Sequence, residues 1–154
     1  MPESILLELE WDFGDGSILT ATKASPAITS TVTQTHAYTD SGIYTVTLTV
    51  TDDDGGIGSD ALTVTVNNVA PTVEIGPDQV SDEGKAVSFS GVFTDPGGLD
   101  IHTIEWNFGD GLSLLTTSTI TTTGILTPAH IYNDDGIYSV TLTITDSDGG
   151  VGSD

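Results

Sequence analysis

The residues of this chain that best suggest a chemical function, by type and position, carry carboxylate and amide side chains. They occur in three short polar stretches that lie between segments of alternating apolar and polar residues. Calcium takes about six to eight oxygen ligands at flexible geometry. The stretches therefore form a candidate calcium site if the fold brings them together, and they are ordinary solvated loop residues if it does not. The candidate ligands are Asn67, Asn68, Asp95, Asp100, Asp146 and Asp148.

The three histidines indicate structure rather than transition-metal binding. His36 and His130 stand two residues before Tyr38 and Tyr132, so they occupy equivalent positions. No second His or Cys lies at ligand spacing from either of them. We expect both to be hydrogen-bonded structural residues. His102 lies elsewhere in the pattern and has no such counterpart.

The acidic residues around the Gly-Asp-Gly turns could resemble the paired carboxylates of a glycosidase. Asp12, Asp15 and Asp110 stand in these turns, where short acidic side chains accept hydrogen bonds from backbone N–H groups. A catalytic pair would require an apolar pocket that keeps one acid protonated, and the exposed turns imply none. Neither a Gly-x-Ser-x-Gly motif nor a Gly-rich phosphate loop is present. We therefore predict that the chain is not an enzyme.

The charge excludes several classes of partner. The 154 residues include 23 acidic residues and only two lysines, which gives a net charge of −21. Such a surface repels nucleic acid and anionic lipid, because both require Lys or Arg against phosphate. No apolar run is long enough to span a membrane, and residues 1–4 lack the basic segment of a signal peptide. The charge suits either a salt or solubility adaptation or cation sites.

The chain contains one unit twice. Trp-Asp-Phe-Gly-Asp-Gly-Ser at 11–17 returns as Trp-Asn-Phe-Gly-Asp-Gly-Leu at 106–112, and the strand-like segment 42–52 returns at 136–146. A period of this length is that of a complete small domain rather than of a solenoid repeat. We predict two domains, residues 1–68 and 69–154.

Strict alternation predicts β-strands that bury one face. Residues 44–51 alternate Tyr, Val or Leu with Thr, and the short strands between Gly, Asp and Pro turns indicate an all-β sandwich. Strand-like segments near 72–76 and 86–94 precede the second Trp, and segment 61–66 follows only the first repeat. We therefore expect the first sandwich to lack its opening strands and the second its closing strand. A window on a longer array or a gene fragment explains this better than exchange of strands between chains.

The repeated motifs resemble the polycystic kidney disease (PKD) family of immunoglobulin-like domains. The resemblance rests on the Trp-containing motif, on His-x-Tyr followed by Gly-Ile-Tyr, and on Asp-Gly-Gly at 54–56 and 148–150. It implies a seven-stranded sandwich with Trp11 and Trp106 in the core. Tyr44 and Tyr138 are similar to the tyrosine corner, whose hydroxyl satisfies a backbone group.

The family resemblance implies a spacer or adhesion module of an extracellular or cell-surface protein. In an immunoglobulin-like sandwich the three polar stretches gather at one end, beside the linker at 67–71, and some collagenase-associated members bind calcium in a similar arrangement. A calcium ion there would stiffen the joint, with neighbouring repeats as partners. The first repeat keeps Asp52, Asp53 and Asp54 without their partner loops. The alternative function is a carbohydrate- or protein-binding accessory module of a secreted hydrolase.

Overall fold

The computed structural model describes residues 5–25, 31–118 and 123–154, and these contain β-strands without a helix. The all-β prediction is therefore confirmed. Contacts divide the chain into two units, Met1–Tyr38 with Gly42–Asn67, and Thr39–Ser41 with Asn68–Asp154. Because the described part has no helix, none is long and apolar enough to cross a membrane. The prediction that residues 1–4 lack the basic segment of a signal peptide concerns residues that the structure does not describe.

The first unit is one antiparallel sheet of four strands in the order β2-β1-β3-β4. Its strands are β1 (Ile5–Asp12), β2 (Ile18–Ser25), β3 (Gly42–Asp52) and β4 (Ile57–Val66). Asp12 Oδ1 accepts a hydrogen bond from Gly14 N at 2.9 Å and so closes the turn after β1. Asp15 Oδ1 accepts one from Ser17 N at 2.9 Å. The acidic turn residues therefore act as the predicted caps.

The second unit is a two-layer sandwich. A sheet of order β13-β12-β8-β9 packs against β10-β7-β5, and β11 pairs with β6. The strands are β5 (Thr72–Glu74), β6 (Ala86–Ser88), β7 (Gly91–Thr94), β8 (His102–Asn107), β9 (Ser113–Ser118), β10 (Thr123–Leu126), β11 (Ala129–Ile131), β12 (Thr141–Thr145) and β13 (Val151–Ser153). The buried core consists of Phe89, Phe93, Ile104, Trp106, Phe108, Leu142 and Ile144.

The two tryptophans differ in burial. Trp106 is 1% exposed, as predicted for a core residue. Its indole lies over Gly91, where a Cβ would come within 2.8 Å of the ring and 2.5 Å of Leu142. Trp11, by contrast, is only half-buried, because the described residues of the first unit form a single sheet, with no second sheet against it. The expectation that both rings are enclosed therefore holds for the second repeat alone.

A ladder of aromatic rings and one histidine recurs in both units. His130 Nε2 lies 2.7 Å from Asp110 Oδ2, and the His130 ring stacks on Phe108 at 4.2 Å. His36 makes the same bond to Asp15 at 2.7 Å. Both histidines are therefore the hydrogen-bonded structural residues that we expected. Tyr138 donates its hydroxyl to the Asp134 carbonyl at 3.0 Å, which confirms the tyrosine corner in the second repeat.

We predict that Gly91→Ala destabilises the second unit by about 1–3 kcal/mol, because the added methyl group overlaps Trp106 and Leu142. Gly58→Ala is the matched control, since Gly58 lies in a strand with nothing within 4 Å of its added Cβ. It should change the free energy of unfolding by less than about 0.5 kcal/mol. Urea unfolding of both variants measures the difference. Equal stability of the two variants would contradict the close packing at Gly91.

Candidate metal centre

Three buried carboxylates meet at one end of the second unit. One oxygen from each of Asp95, Asp100 and Asp146 lies within 4.8 Å of the others, and the three residues are 3%, 1% and 5% exposed. Asp95 directly follows β7, Asp146 directly follows β12, and Asp100 lies two residues before β8. The ends of strands from both layers therefore place the carboxylates together.

The loop between β7 and β8 holds Asp95 and Asp100. Asp95 Oδ1 accepts a hydrogen bond from Gly97 N at 2.9 Å. Asp100 Oδ1 accepts one from the Ser147 hydroxyl at 2.6 Å. Asp100 Oδ2 is buried and has no hydrogen-bond partner. A buried carboxylate oxygen without a partner carries a substantial desolvation penalty, so this oxygen is suited to face a cation.

The turn after β12 holds Asp146 in place. Its Oδ1 accepts hydrogen bonds from Asp148 N at 3.0 Å and from Gly150 N at 2.7 Å. Its Oδ2 accepts one from Asn68 Nδ2 at 2.9 Å. Asn68 is thereby anchored to the carboxylate group, and its side chain carries an amide oxygen, which is a ligand type that calcium accepts.

Electrostatics disfavour three ionised carboxylates in this position. Burial raises the pKa of Asp100, the hydrogen bond from Ser147 lowers it, and the charges of Asp146, Asp148 and Asp95 raise it further. Like charges at this separation repel strongly where water is excluded. A divalent cation would remove both the desolvation penalty and the repulsion. The donor set consists of oxygen atoms, which hard cations such as calcium prefer.

The other two predicted ligands are exposed and do not belong to this buried group. Asn67 is exposed and belongs by its contacts to the first unit. Asp148 is exposed as well. Its backbone N–H donates to Asp146 Oδ1 within the turn. One of its carboxylate oxygens lies within 4.8 Å of carboxylate oxygens of Asp100 and Asp40. The structure thus brings together Asn68, Asp95, Asp100 and Asp146, places the exposed Asp148 beside Asp100, and leaves Asn67 outside.

Sequence reasoning missed the part that His102 plays here. The His102 side chain is fully buried, and its Nε2 lies 2.8 Å from Asp95 Oδ2. Because a carboxylate can only accept, the imidazole is the donor and fixes the orientation of Asp95. The alternation of β8 places His102 on the same inward side as Ile104 and Trp106. This pattern in the sequence indicated that His102 is buried.

Two glycines allow the carboxylates to approach so closely. A Cβ on Gly97 would overlap Asp100 Oδ2, and a Cβ on Gly150 would overlap Asp146 Oδ2. Any other residue at either position would displace a carboxylate oxygen of the group. Gly150 is the last residue of the repeated Asp-Gly-Gly motif, which gives that motif a physical reason at this site.

The first unit contains half of this arrangement. Asp52 Oδ1 accepts hydrogen bonds from Asp54 N at 3.1 Å and from Gly56 N at 2.6 Å, as Asp146 does in the second unit. Among the residues that the structure describes, the first unit has no buried carboxylate group. The Asp-x-Asp-Gly-Gly turn therefore folds in the same way whether or not the other carboxylates are present.

Comparisons with known proteins point to one family. The sequence profile of the PKD domain matches residues 2–66 and 68–154. A microbial collagenase of Vibrio alginolyticus is 40% identical over 85 residues, which is 54% of this chain and 9% of the collagenase. Pre-pro-metalloprotease PrtV of Vibrio cholerae serotype O1 (strain M66-2) is 34% identical over 101 residues, 66% of this chain and 10% of that protein. The chain thus spans about a tenth of the length of these relatives.

We predict that the metal-free protein becomes more stable on mild acidification. The pKa of Asp100 is raised in the folded state above its ordinary value of 3.8, so the folded chain binds this proton more readily than the unfolded chain. The corresponding stability is present at low pH and is lost as the pH rises through the folded pKa.

Thermal unfolding with a chelator, at intervals from about pH 7 down to about pH 4, measures this effect. The melting temperature of the second unit should rise as the pH falls, and Asp100→Asn should remove most of the rise. Asp135→Asn, a change at an exposed carboxylate, is the control and should keep it. The same pH dependence in the Asp100→Asn variant would contradict the assignment.

Proposed function

Because this chain belongs to the PKD domain family, we propose that it is a non-catalytic spacer and accessory module of a larger extracellular protein, with calcium bound in its second repeat. PKD domains are non-catalytic modules. The observation that carries the calcium proposal is the unpartnered Asp100 Oδ2, which is buried beside two further buried carboxylates. In this proposal Asn68, Asp95, Asp100 and Asp146 hold the ion.

The distribution of aromatic residues supports a spacer rather than a ligand-binding face. Every Trp, Phe and Tyr of the chain lies within the described residues, and each is buried or half-buried. Sugar-binding surfaces use exposed aromatic rings as stacking platforms, and this chain presents none. The net charge of −21 also disfavours nucleic acid and anionic membranes as partners. The exposed residues include many threonines and carboxylates, together with scattered large aliphatic residues.

Calcium would act mechanically in this proposal. Asn68 is the residue through which the chain enters the second unit, and it already bonds to Asp146 at 2.9 Å. An ion shared by Asn68 and the three carboxylates would fasten the entering segment to the ends of β7 and β12. Pro71 follows, and it restricts Ala70 to an extended conformation. The entry to the second unit would then be short and stiff.

The names of the relatives support a place outside the cell. One is a collagenase and the other a pre-pro-metalloprotease, and this chain matches only a small part of each. Neighbouring repeats of the parent protein are the expected partners. The same names favour a second candidate function, an accessory module of a hydrolase that binds protein or glycan. The absence of exposed aromatic rings among the described residues makes protein the better ligand of the two.

We predict that calcium stabilises the second unit with a dissociation constant of about 10⁻⁴–10⁻³ M, the range of extracellular modules. At a free calcium concentration about ten times this constant, the stabilisation should be about 1.4 kcal/mol. Isothermal titration calorimetry and thermal unfolding at matched ionic strength measure both quantities. Amide hydrogen exchange should slow at Asn68, Val69 and Ala70 on calcium addition.

Asp100→Asn is the decisive variant for the calcium proposal, because it replaces a ligand oxygen with an amide while keeping the shape. It should lose the calcium response and fold at least as stably as the original protein in chelator. Asp135→Asn removes one carboxylate from the exposed acidic group of Glu83, Asp134 and Asp135. Its melting temperature should respond to calcium as that of the original protein does. Equal calcium responses of the Asp100→Asn and Asp135→Asn variants would contradict the calcium site, and only the spacer function would remain.

A further inference from the structure

The segment Thr39–Ser41 lies against both loops that carry the proposed calcium ligands. By its contacts this segment belongs to the second unit, and we call it the clamp segment. The Gly98 N–H donates to the Thr39 carbonyl at 2.8 Å, and the Ser41 hydroxyl donates to Asp148 Oδ2 at 2.7 Å. Gly98 belongs to the loop between β7 and β8, and Asp148 belongs to the turn after β12. The clamp segment therefore joins these two loops to each other.

The clamp segment also brings a further negative charge to the carboxylates. Asp40 is half-buried, and one of its carboxylate oxygens lies within 4.8 Å of carboxylate oxygens of Asp100 and Asp148. Its Oδ1 accepts a hydrogen bond from Ser41 N at 2.8 Å, which orients the side chain. Like charges at this separation repel, and they repel more strongly where water is excluded. Asp100 is only 1% exposed. Docking of the clamp segment therefore adds repulsion that a cation would offset.

The second repeat contains the same turn in another setting. Its residues 133–135 are equivalent to the clamp segment, because Gly-Ile-Tyr follows in both places. Asp134 Oδ1 accepts a hydrogen bond from Asp135 N at 3.0 Å, as the aspartate of the clamp segment does from the next residue. Ser41 stands where the second repeat has Asp135. A carboxylate at position 41 would face Asp148, whereas the serine hydroxyl donates to it. The difference between the two turns therefore suits the contact with the calcium loops.

We propose that the clamp segment and calcium bind to these loops cooperatively, so that each increases the affinity of the other. This inference rests on the proposed calcium site. The ion offsets the repulsion that opposes docking, and the docked Asp40 carboxylate adds attraction for the ion. Such coupling is reciprocal by thermodynamic necessity. With calcium the second unit holds the polypeptide at the clamp segment as well as at Asn68, and without calcium the clamp segment is released more readily.

Amide hydrogen exchange at Gly98 tests the coupling, because this N–H donates to the clamp segment. In the original protein, saturating calcium should slow the exchange at least about fivefold relative to chelator. Asp40→Asn removes the repulsion and keeps the shape. Its Gly98 should already exchange slowly in chelator, and calcium should slow it further by less than about twofold.

Asp134→Asn is the matched control, because Asp134 holds the equivalent position and accepts the equivalent hydrogen bond. Its Gly98 exchange should respond to calcium as that of the original protein does. Equal responses of the Asp40→Asn and Asp134→Asn variants overturn the proposal, because calcium would then order only the loop itself. Ser41→Asp adds a charge opposite Asp148 and should leave Gly98 exchange fast even with calcium. Slow exchange in that variant with calcium also counts against the clamp segment.

Isothermal titration calorimetry at low ionic strength separates this inference from the proposed function. Asp40→Asn should weaken calcium affinity about fivefold, and Asp134→Asn should leave it unchanged. If the original protein does not bind calcium, the proposed site and the coupling are both wrong. If it binds calcium, and the two variants match it in affinity and in Gly98 exchange, the calcium site stands and the coupling alone is wrong.

Discussion

The second repeat depends on the contact between the Trp106 indole and the backbone of Gly91. This contact joins the two sheets, because Trp106 lies on β8 and Gly91 on β7, and Leu142 of β12 meets both. A side chain at position 91 would separate the layers. The core residues Phe89 and Phe93 flank the glycine, so this close approach of the sheets lies within the apolar core.

The same contact sets the spacing of the carboxylates. Asp95 comes four residues after Gly91, and Asp146 comes four residues after Leu142. Both strands therefore run the same distance from the contact to the end of the sandwich where the acids meet. The carboxylate group is thus a product of two-layer packing, whereas the Asp-x-Asp-Gly-Gly turn is local. This difference explains why the first unit has the turn around Asp52 but no buried carboxylate group among its described residues.

Alternation in the sequence predicted most of the fold, since it reports which face of a strand is apolar. It cannot report whether another layer covers that face, and so Trp11 and Trp106 looked equivalent although their burial differs. The polar stretches at strand ends predicted that Asn68, Asp95, Asp100 and Asp146 would meet. The sequence did not show that Asp146 is buried and Asp148 exposed, because side chains in a tight turn point in different directions. His102 was identifiable from alternation, but its bond to Asp95 depends on a tertiary contact.

The aromatic ladder is equally regular in the two repeats. The ring centroids of Tyr38 and Tyr44 are 4.2 Å apart, and those of Tyr132 and Tyr138 are also 4.2 Å apart. In each repeat the ladder closes one loop of moderate length, because Tyr38 bonds to the Phe13 carbonyl and Tyr132 to the Phe108 carbonyl. A folding chain can therefore assemble the ladder from residues of a single repeat, without any segment of the other.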